Sequence, residues 1–205
     1  APAGFLVVGS GKVARMLAKV LSEQGFRTVI SDSDWESIRQ ARMEGLETYY
    51  GNPVSDHASR YLDLSGIGNV ISVSGRSDLN VLAALSFRRE FGLDHVYELP
   101  TTAEESQSEK HRVADRHRGQ RLFGREVTHN QVLGNLQDGW ATKKTGLTEE
   151  FTIEDYLAQN GDRALLLFAL DPSGRLRFVT DQEDFHPEAG WQIVSLVAPD
   201  NRNNE

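Results

Sequence analysis

The chain of 205 residues contains no cysteine and only two methionines. Without thiols it has no disulfide, no thiolate nucleophile and no cysteine-ligated metal or cluster. It also lacks any run near the roughly 18 consecutive apolar residues that a membrane span requires, and no signal peptide opens it. Positive charge is in short supply: 22 lysines and arginines stand against 30 aspartates and glutamates, a formal net charge of −8. Phosphate neutralisation needs a basic surface, so nucleic acid is not expected as a partner. The catalytic signatures of common enzyme classes are missing too. No Tyr-x-x-x-Lys pair occurs, since the residues four after Tyr49, Tyr50, Tyr61, Tyr97 and Tyr156 are Pro53, Val54, Ser65, Thr101 and Asn160. No Gly-x-Ser-x-Gly elbow is present either. Among the six histidines, His111 and His117 are six residues apart, on different faces of any helix, and His57 has only Asp56 beside it. No metal site and no catalytic residue are therefore expected.

What is present is concentrated at the start. Residues 5–14 read Phe-Leu-Val-Val-Gly9-Ser10-Gly11-Lys12-Val13-Ala14, a buried-strand pattern running into a glycine-rich turn. Gly9 suits a tight turn out of the strand, Gly11 lets backbone approach a pyrophosphate, and Ala14 lets the next helix lie close on the sheet. That helix offers free N–H groups and the positive end of its dipole, with Lys12 and Val13 in its first turn. Asp32 ends the next apolar run, 23 residues after Gly9. This is near the spacing of about 20 at which a carboxylate meets adenosine ribose hydroxyls.

The surrounding pattern supplies the context this motif needs. Val13, Met16, Leu17, Val20 and Leu21 form one helical stripe. Residues 27–31, 47–50, 69–73 and 95–99 read as further strands, separated by helices bearing Trp35, Ile38 and Ala41, then Ala58, Tyr61, Leu62 and Leu64, then 79–91. Strict alternation of this kind implies a Rossmann-like α/β fold, a parallel sheet with helices on both faces. The character changes near Pro100. Residues 103–121 are almost wholly polar, acids first and bases later, which suits an exposed connecting helix. Beyond it, 129–136 reads as a short helix, 141–151 as extended, and Thr152 as the N-cap of another helix. Residues 164–170 and 175–179 flank Asp171-Pro172-Ser173-Gly174 as a hairpin, and 191–197 is a last strand. The expected organisation is a nucleotide-binding domain over 1–100, a connecting helix over 101–120 and a small, mostly β module over 121–205. Roughly eighty residues are few for a substrate domain, so a nucleotide reader fits better than a nucleotide consumer.

The stretch from Phe5 to Leu99 resembles the TrkA-N or RCK domain, the regulator of potassium conductance found in bacterial potassium channels and cation transporters. The matching pieces are residues 9–14, Asp32-Ser33-Asp34, Gly51-Asn52-Pro53-Val54, Ser65-Gly66-Ile67 and Ser77-Asp78-Leu79-Asn80. The family usually has an arginine after the second glycine, where Lys12 keeps the charge. It usually has Gly-Asp-Ala-Thr after the third strand, and here Asn52 stands in place of the acid near the adenine. A narrower similarity, through Arg88-Arg89-Glu90-Phe91-Gly92, Leu122-Phe123-Gly124 and Pro187-Glu188-Ala189-Gly190, is to the cytosolic C-terminal region of sodium/proton antiporters. The chain also starts directly at its first strand, as an excised domain would.

The resemblance implies a regulatory domain at the cytoplasmic face of the inner membrane, joined to a membrane-embedded transporter segment in the same polypeptide and forming a homodimer. The expected cofactor site comprises Gly9, Ser10, Gly11, Lys12, Val13, Asp32, Ser33, Gly51, Asn52, Ser74 and Gly75. Its ligand is NAD(H) or AMP/ATP rather than NADP(H), because Asp32 repels a 2′-phosphate and is followed by Ser33 and Asp34, not arginine. The dimer surface is expected on the helix 79–91 and the edge of the fifth strand. A small NAD-dependent oxidoreductase, or a fragment of one, is the alternative.

Overall fold

Val7, Val8, Ile30, Val70 and Ile71 are completely shielded from solvent, as expected of strands covered on both faces. The computed structural model describes residues 3–102, 119–182 and 184–200. Nearly all of the expected connecting helix, with His111 and His117, lies outside the described residues. The chain divides into two compact units, residues 1–121 with 126–133, and residues 122–125 with 134–205.

The first unit alternates strand and helix: β1 (Gly4–Val8), α1 (Lys12–Glu23), β2 (Thr28–Asp32), α2 (Trp35–Met43), β3 (Glu47–Tyr50), α3 (Asp56–Tyr61), β4 (Ile67–Ser72), α4 (Ser77–Phe91), a 3-10 turn (Leu93–His95), β5 (Val96–Glu98) and β6 (Gln120–Arg121). The sheet order is β3-β2-β1-β4-β5-β6, all parallel. This is the Rossmann-like fold. Leu6, Val8, Val29, Val70 and Val96 meet Ala83, Ala84 and Phe87 of α4 on one side of the sheet. Val7 lies between Leu6 and Val8, so it points to the opposite face, where it is equally buried. The apolar stripe of α1 is realised as Val13, Ala14, Leu17, Ala18, Val20 and Leu21, all buried. In α2, Ile38 and Ala41 are buried but Trp35 is not; it stands edge-on to Tyr50 with the Arg42 guanidinium 5.1 Å over its ring.

Two readings of the sequence change here. The fifth strand is not an edge, because Tyr97 pairs with Gln120 and Glu98 with Arg121. A two-residue strand after a long polar stretch has no periodicity to reveal it. The helix 79–91 starts earlier, at Ser77, and buries Asn80, Ala83, Ala84 and Phe87, leaving Leu82 and Leu85 about half exposed (49% and 43%).

Besides residues 122–125, the second unit takes in the end of α5 (His129–Gln137) and continues as β7 (Ala141–Gly146), α6 (Ile153–Asn160), β8 (Ala164–Leu170), β9 (Leu176–Phe178) and β10 (Gln192–Val197). Its four strands form an antiparallel sheet in the order β7-β10-β8-β9. The extended reading of 141–151 holds only to Gly146. Phe151 N–H then bonds back to the Thr148 hydroxyl (2.9 Å) and Thr148 N–H to the Phe151 carbonyl (3.0 Å), which closes a tight loop. Thr152 and Asp155 cap α6 reciprocally, backbone to side chain at each end. In the β8–β9 turn, Asp171 accepts from the N–H groups of Ser173 and Arg175. Among the described residues no helix is long and apolar enough to cross a membrane.

Candidate functional site

In a parallel sheet of this order, the chain leaves β1 toward β2 on one side and returns at β4 on the other. The loops after β1 and β4 therefore part at their carboxyl ends and leave a crevice. Val8 pairs with Ser31 of β2 and with Ser72 of β4, so three strand ends meet at this point.

Gly9 makes the turn out of β1 at φ +116°, and a Cβ there would lie 2.9 Å from the Ser74 backbone. Only glycine fits both the conformation and the space. Ser10 is fully buried and its hydroxyl donates to Asp32 Oδ2 (2.8 Å). Its proton is thus directed to the carboxylate, and it positions Asp32 across the cleft floor. Arg15 holds the same loop, donating to the Ser10 carbonyl (2.7 Å) while pairing with Glu44 (3.2 Å). Gly11 is the N-cap of α1, with no side chain capping the helix. A Cβ built on Gly11 would meet nothing within 4 Å. The helix start therefore presents open N–H groups toward free space, the arrangement that accepts an anion. Lys12 is exposed at its first turn, whereas Val13 is fully buried and can offer a ligand only its N–H.

Asp32 Oδ1 accepts from Asp34 N–H (3.0 Å), so both carboxylate oxygens are oriented by the chain itself. Asp34 in turn caps α2 through Glu36 N–H (3.1 Å). These groups line a cleft of about 470 Å³ together with Gly11, Lys12, Ser33 and, on the β4 side, Val73, Ser74, Gly75 and Arg76. That volume lies within the range of roughly 300–1,000 Å³ typical of small-molecule sites. Ser33 also borders a neighbouring cleft of about 560 Å³ that contains Gly51, Asn52, Arg76, Leu82 and Leu85. Gly51 is fixed there by its N–H to the Asp32 carbonyl (2.7 Å) and by the Ser31 hydroxyl on its own carbonyl (3.0 Å). The Asn52 side chain folds back onto Val54 N–H (3.0 Å). The structure thus gathers Ser10, Gly11, Lys12, Asp32, Ser33, Ser74 and Gly75 in one cleft and sets Gly51 and Asn52 in the adjoining one.

Three residues absent from the expected set matter to this site. Asn80, in the first turn of α4, accepts from Ser74 N–H (3.0 Å), donates to the Ser74 carbonyl (2.9 Å) and lies 2.7 Å from its hydroxyl. Asparagine in a first helical turn, eight residues past the end of β4, was the available signal. Arg76 reaches the same cleft as Asp32, its guanidinium 3.3 Å from Asp78. Nothing in the spacing from Asp32 could show this, because the two loops follow different strands. The third is His129 at the start of α5, whose Cε1 would lie 3.9 Å from a Cβ on Gly75 and whose N–H donates to the Pro100 carbonyl (2.7 Å). Burial lowers the pKa of its imidazole below the usual histidine value. Among the described residues no group of three or more His, Cys, Asp or Glu is placed to hold a metal ion.

No curated protein matches the chain. Among solved structures, the GsuK channel superposes with a TM-score of 0.50 at 12% identity, covering 96% of this chain and 36% of that one. The GsuK channel bound to NAD gives 0.48 at 12% identity, over 95% of this chain and 36% of that one. The TrkA-N domain of the inner membrane protein ybaL from Escherichia coli gives 0.49 at 14% identity, over 67% and 95%. The chain therefore spans about a third of the GsuK polypeptide but nearly all of the ybaL domain. Residues 5–116, more than half of the sequence and the part that builds most of the crevice, match the TrkA-N domain, and the chain belongs to that family.

Proposed function

We propose that this chain is the regulatory nucleotide-binding domain of a membrane cation transporter, a cation/proton antiporter or a potassium transport system, and that NAD(H) or an adenine nucleotide in the crevice controls transport. One observation carries the nucleotide reading. An uncapped helix start with open space over Gly11 shares a cleft with an Asp32 carboxylate that Ser10 and Asp34 hold in place. The first suits a phosphate group and the second a pair of ribose hydroxyls. Lys12 would supply charge to the phosphates, and Gly9 and Ala14 set the loop and helix around them. Membership of the TrkA-N family and the NAD-bound state of the GsuK channel support the same ligand class.

The transporter reading follows from the family resemblance. It places the domain at the cytoplasmic face of the membrane, continuous with a membrane-embedded segment. It also pairs two copies through α4, where Leu82 and Leu85 stand half exposed. Regulation then requires that nucleotide bind two arrangements of the assembly with different affinity, since equal affinity shifts nothing.

Titration calorimetry with NAD+, NADH, AMP, ATP and NADP+ tests the ligand. Binding of the first four classes in preference to NADP+ supports the reading, and absence of any binding overturns it. Turnover of NADH with a panel of carbonyl compounds would instead establish the oxidoreductase alternative. Membrane spans encoded ahead of Ala1 would support the transporter context, and light scattering that finds monomer alone, with and without nucleotide, would remove the dimer.

A further inference from the structure

The β4 side of the crevice has little left to offer a ligand. The N–H, carbonyl and hydroxyl of Ser74 are all engaged with Asn80, whose side chain is itself buried. Gly75 has no side chain. One polar atom on that side, Nδ1 of the His129 imidazole, is both buried and unpaired, while the side chain also meets that of Asn130. His129 is 9% exposed, it lines the cleft, and its Nδ1 has no hydrogen-bond partner among the described residues. Buried polar atoms are nearly always paired, so an orphan on a residue that lines a cleft marks a position for an outside partner.

We infer that His129 is a ligand-binding residue of this crevice and that it reads the second nucleoside of a dinucleotide. This rests on the nucleotide reading above and deepens it. A mononucleotide with its ribose on Asp32 and its phosphate at Gly11 has used all its groups on the β1–β2 side of the switch point. A dinucleotide turns at the pyrophosphate over α1 and carries its second ribose across the β4 loop, where Val73, Ser74, Gly75 and His129 form the wall. The chemistry at that wall selects among ligands. Because burial holds the imidazole neutral, its Nδ1 suits a hydroxyl or an amide as donor or acceptor, and does not offer the cation that the terminal phosphate of ATP would seek. The cationic side chains that line the cleft, Lys12 and Arg76, come from the α1 start and from the loop before α4.

His129 comes from beyond residues 103–118, so the second half of the site is completed by a segment outside the alternating strand–helix units. No local pattern marks it: a single histidine between Thr128 and Asn130 has no partner at any metal or catalytic spacing.

The test compares NAD+ with AMP on the intact chain, using His129→Phe to keep the ring volume while removing both nitrogens. The inference expects NAD+ affinity to fall tenfold or more in this variant while AMP affinity changes less than twofold. Asp32→Asn should weaken both ligands. In the unsubstituted protein, the Cε1 proton resonance of His129 should shift on adding NAD+ and stay in place with AMP, which keeps the test open should the variant not fold. Unchanged NAD+ affinity, equal losses for NAD+ and AMP, or an imidazole resonance indifferent to NAD+ each overturns the inference while leaving the nucleotide reading intact. Failure of the unsubstituted protein to bind either ligand overturns the reading itself.

Discussion

The loops that follow β1 and β4 sit side by side in the same sheet, yet they are built on opposite terms. After β4, the backbone of Ser74 is saturated by Asn80 from the first turn of the helix that follows, although that helix, like α1, starts without a side-chain cap. After β1, the chain arrives at α1 with no capping side chain and with empty space over Gly11, while Ser10 spends its hydroxyl on Asp32. Both loops turn a parallel strand into a helix. One is closed upon itself and serves as scaffold; the other is left open and serves as receptor. Polar groups that a fold leaves unpaired at low cost are those that solvent or ligand can reach, and α1 keeps its first turn in that state.

The strongest way to break this comparison is to disturb the point where the two loops touch. Gly9→Ala places a methyl 2.9 Å from the Ser74 backbone at φ +116°. Strain and overpacking together should cost about 2–5 kcal/mol, read as a lower urea midpoint. A variant as stable as the parent would mean that the loops are not in contact as described.

The receptor loop should behave differently. Gly11→Ala meets no protein atom and has an ordinary φ of −68°, so stability without ligand should change by less than about 1 kcal/mol. Its methyl would instead occupy the space intended for phosphate. The stabilisation by saturating NAD+, about 2–4 kcal/mol in the parent, should vanish from its melting curve. A retained shift would place the site elsewhere. Asp32 is a less clean target than its sequence position implies, because Asp32→Ala also strands the buried Ser10 hydroxyl. Asp32→Asn keeps an acceptor for Ser10 and removes the charge.

In the scaffold loop the order of effects should reverse. Asn80→Ala leaves the Ser74 N–H and carbonyl without partners and should cost about 1–3 kcal/mol with no direct loss of a ligand contact. Chemical denaturation with and without nucleotide separates the two quantities. If Asn80→Ala alters nucleotide affinity more than stability, the division between scaffold and receptor is wrong.

Ligand choice sharpens the comparison further. NAD(H) should bind at least tenfold better than NADP(H), a difference of about 1.4 kcal/mol, because Asp32 repels a 2′-phosphate. Arg76 opposes this from the β4 side, and its pairing with Asp78 limits the opposition. Asp78→Asn should therefore narrow the preference in competition titrations, and an unchanged ratio would show that Arg76 does not reach the ribose.

The smallest effect is on pH dependence. Burial depresses the folded pKa of His129 below its ordinary 6.5, so as pH falls the unfolded chain takes up this proton first. Stability is then lost as pH drops from about 6.5 through the depressed folded value, and the term is absent above neutrality. Unfolding at pH 7.5 and 5.5 should show a steeper loss in the parent than in His129→Phe. Equal slopes would mean that the imidazole is solvated in the folded chain.

Much of the first unit was legible because its signals are local. Gly9, Gly11 and Ala14 answer steric demands within one turn, and the stripe from Val13 to Leu21 answers one helix face. Thr152, and the Asp171 turn in the second unit, were equally readable from chemistry a few residues wide. The missed elements all depend on contacts between distant stretches. β6 exists as a strand through the pairing of Tyr97 and Glu98 with Gln120 and Arg121. Trp35, on the helix expected there, stands half exposed against Tyr50 and Arg42. Ser10, a candidate ligand contact from its place in the glycine turn, donates its hydroxyl to Asp32, 22 residues away.

By itself the sequence determined the alternation of strands and helices, the glycine turn and the acid at the end of β2, since periodicity and backbone sterics act over a few residues and are written in residue type. Only the tertiary structure decided which strands became neighbours, that Arg76 and His129 share a cleft with Asp32, and which polar atoms were spent within the protein. Those outcomes depend on which groups meet across the sheet, and desolvation charges an unpaired group only once the chain has closed around it.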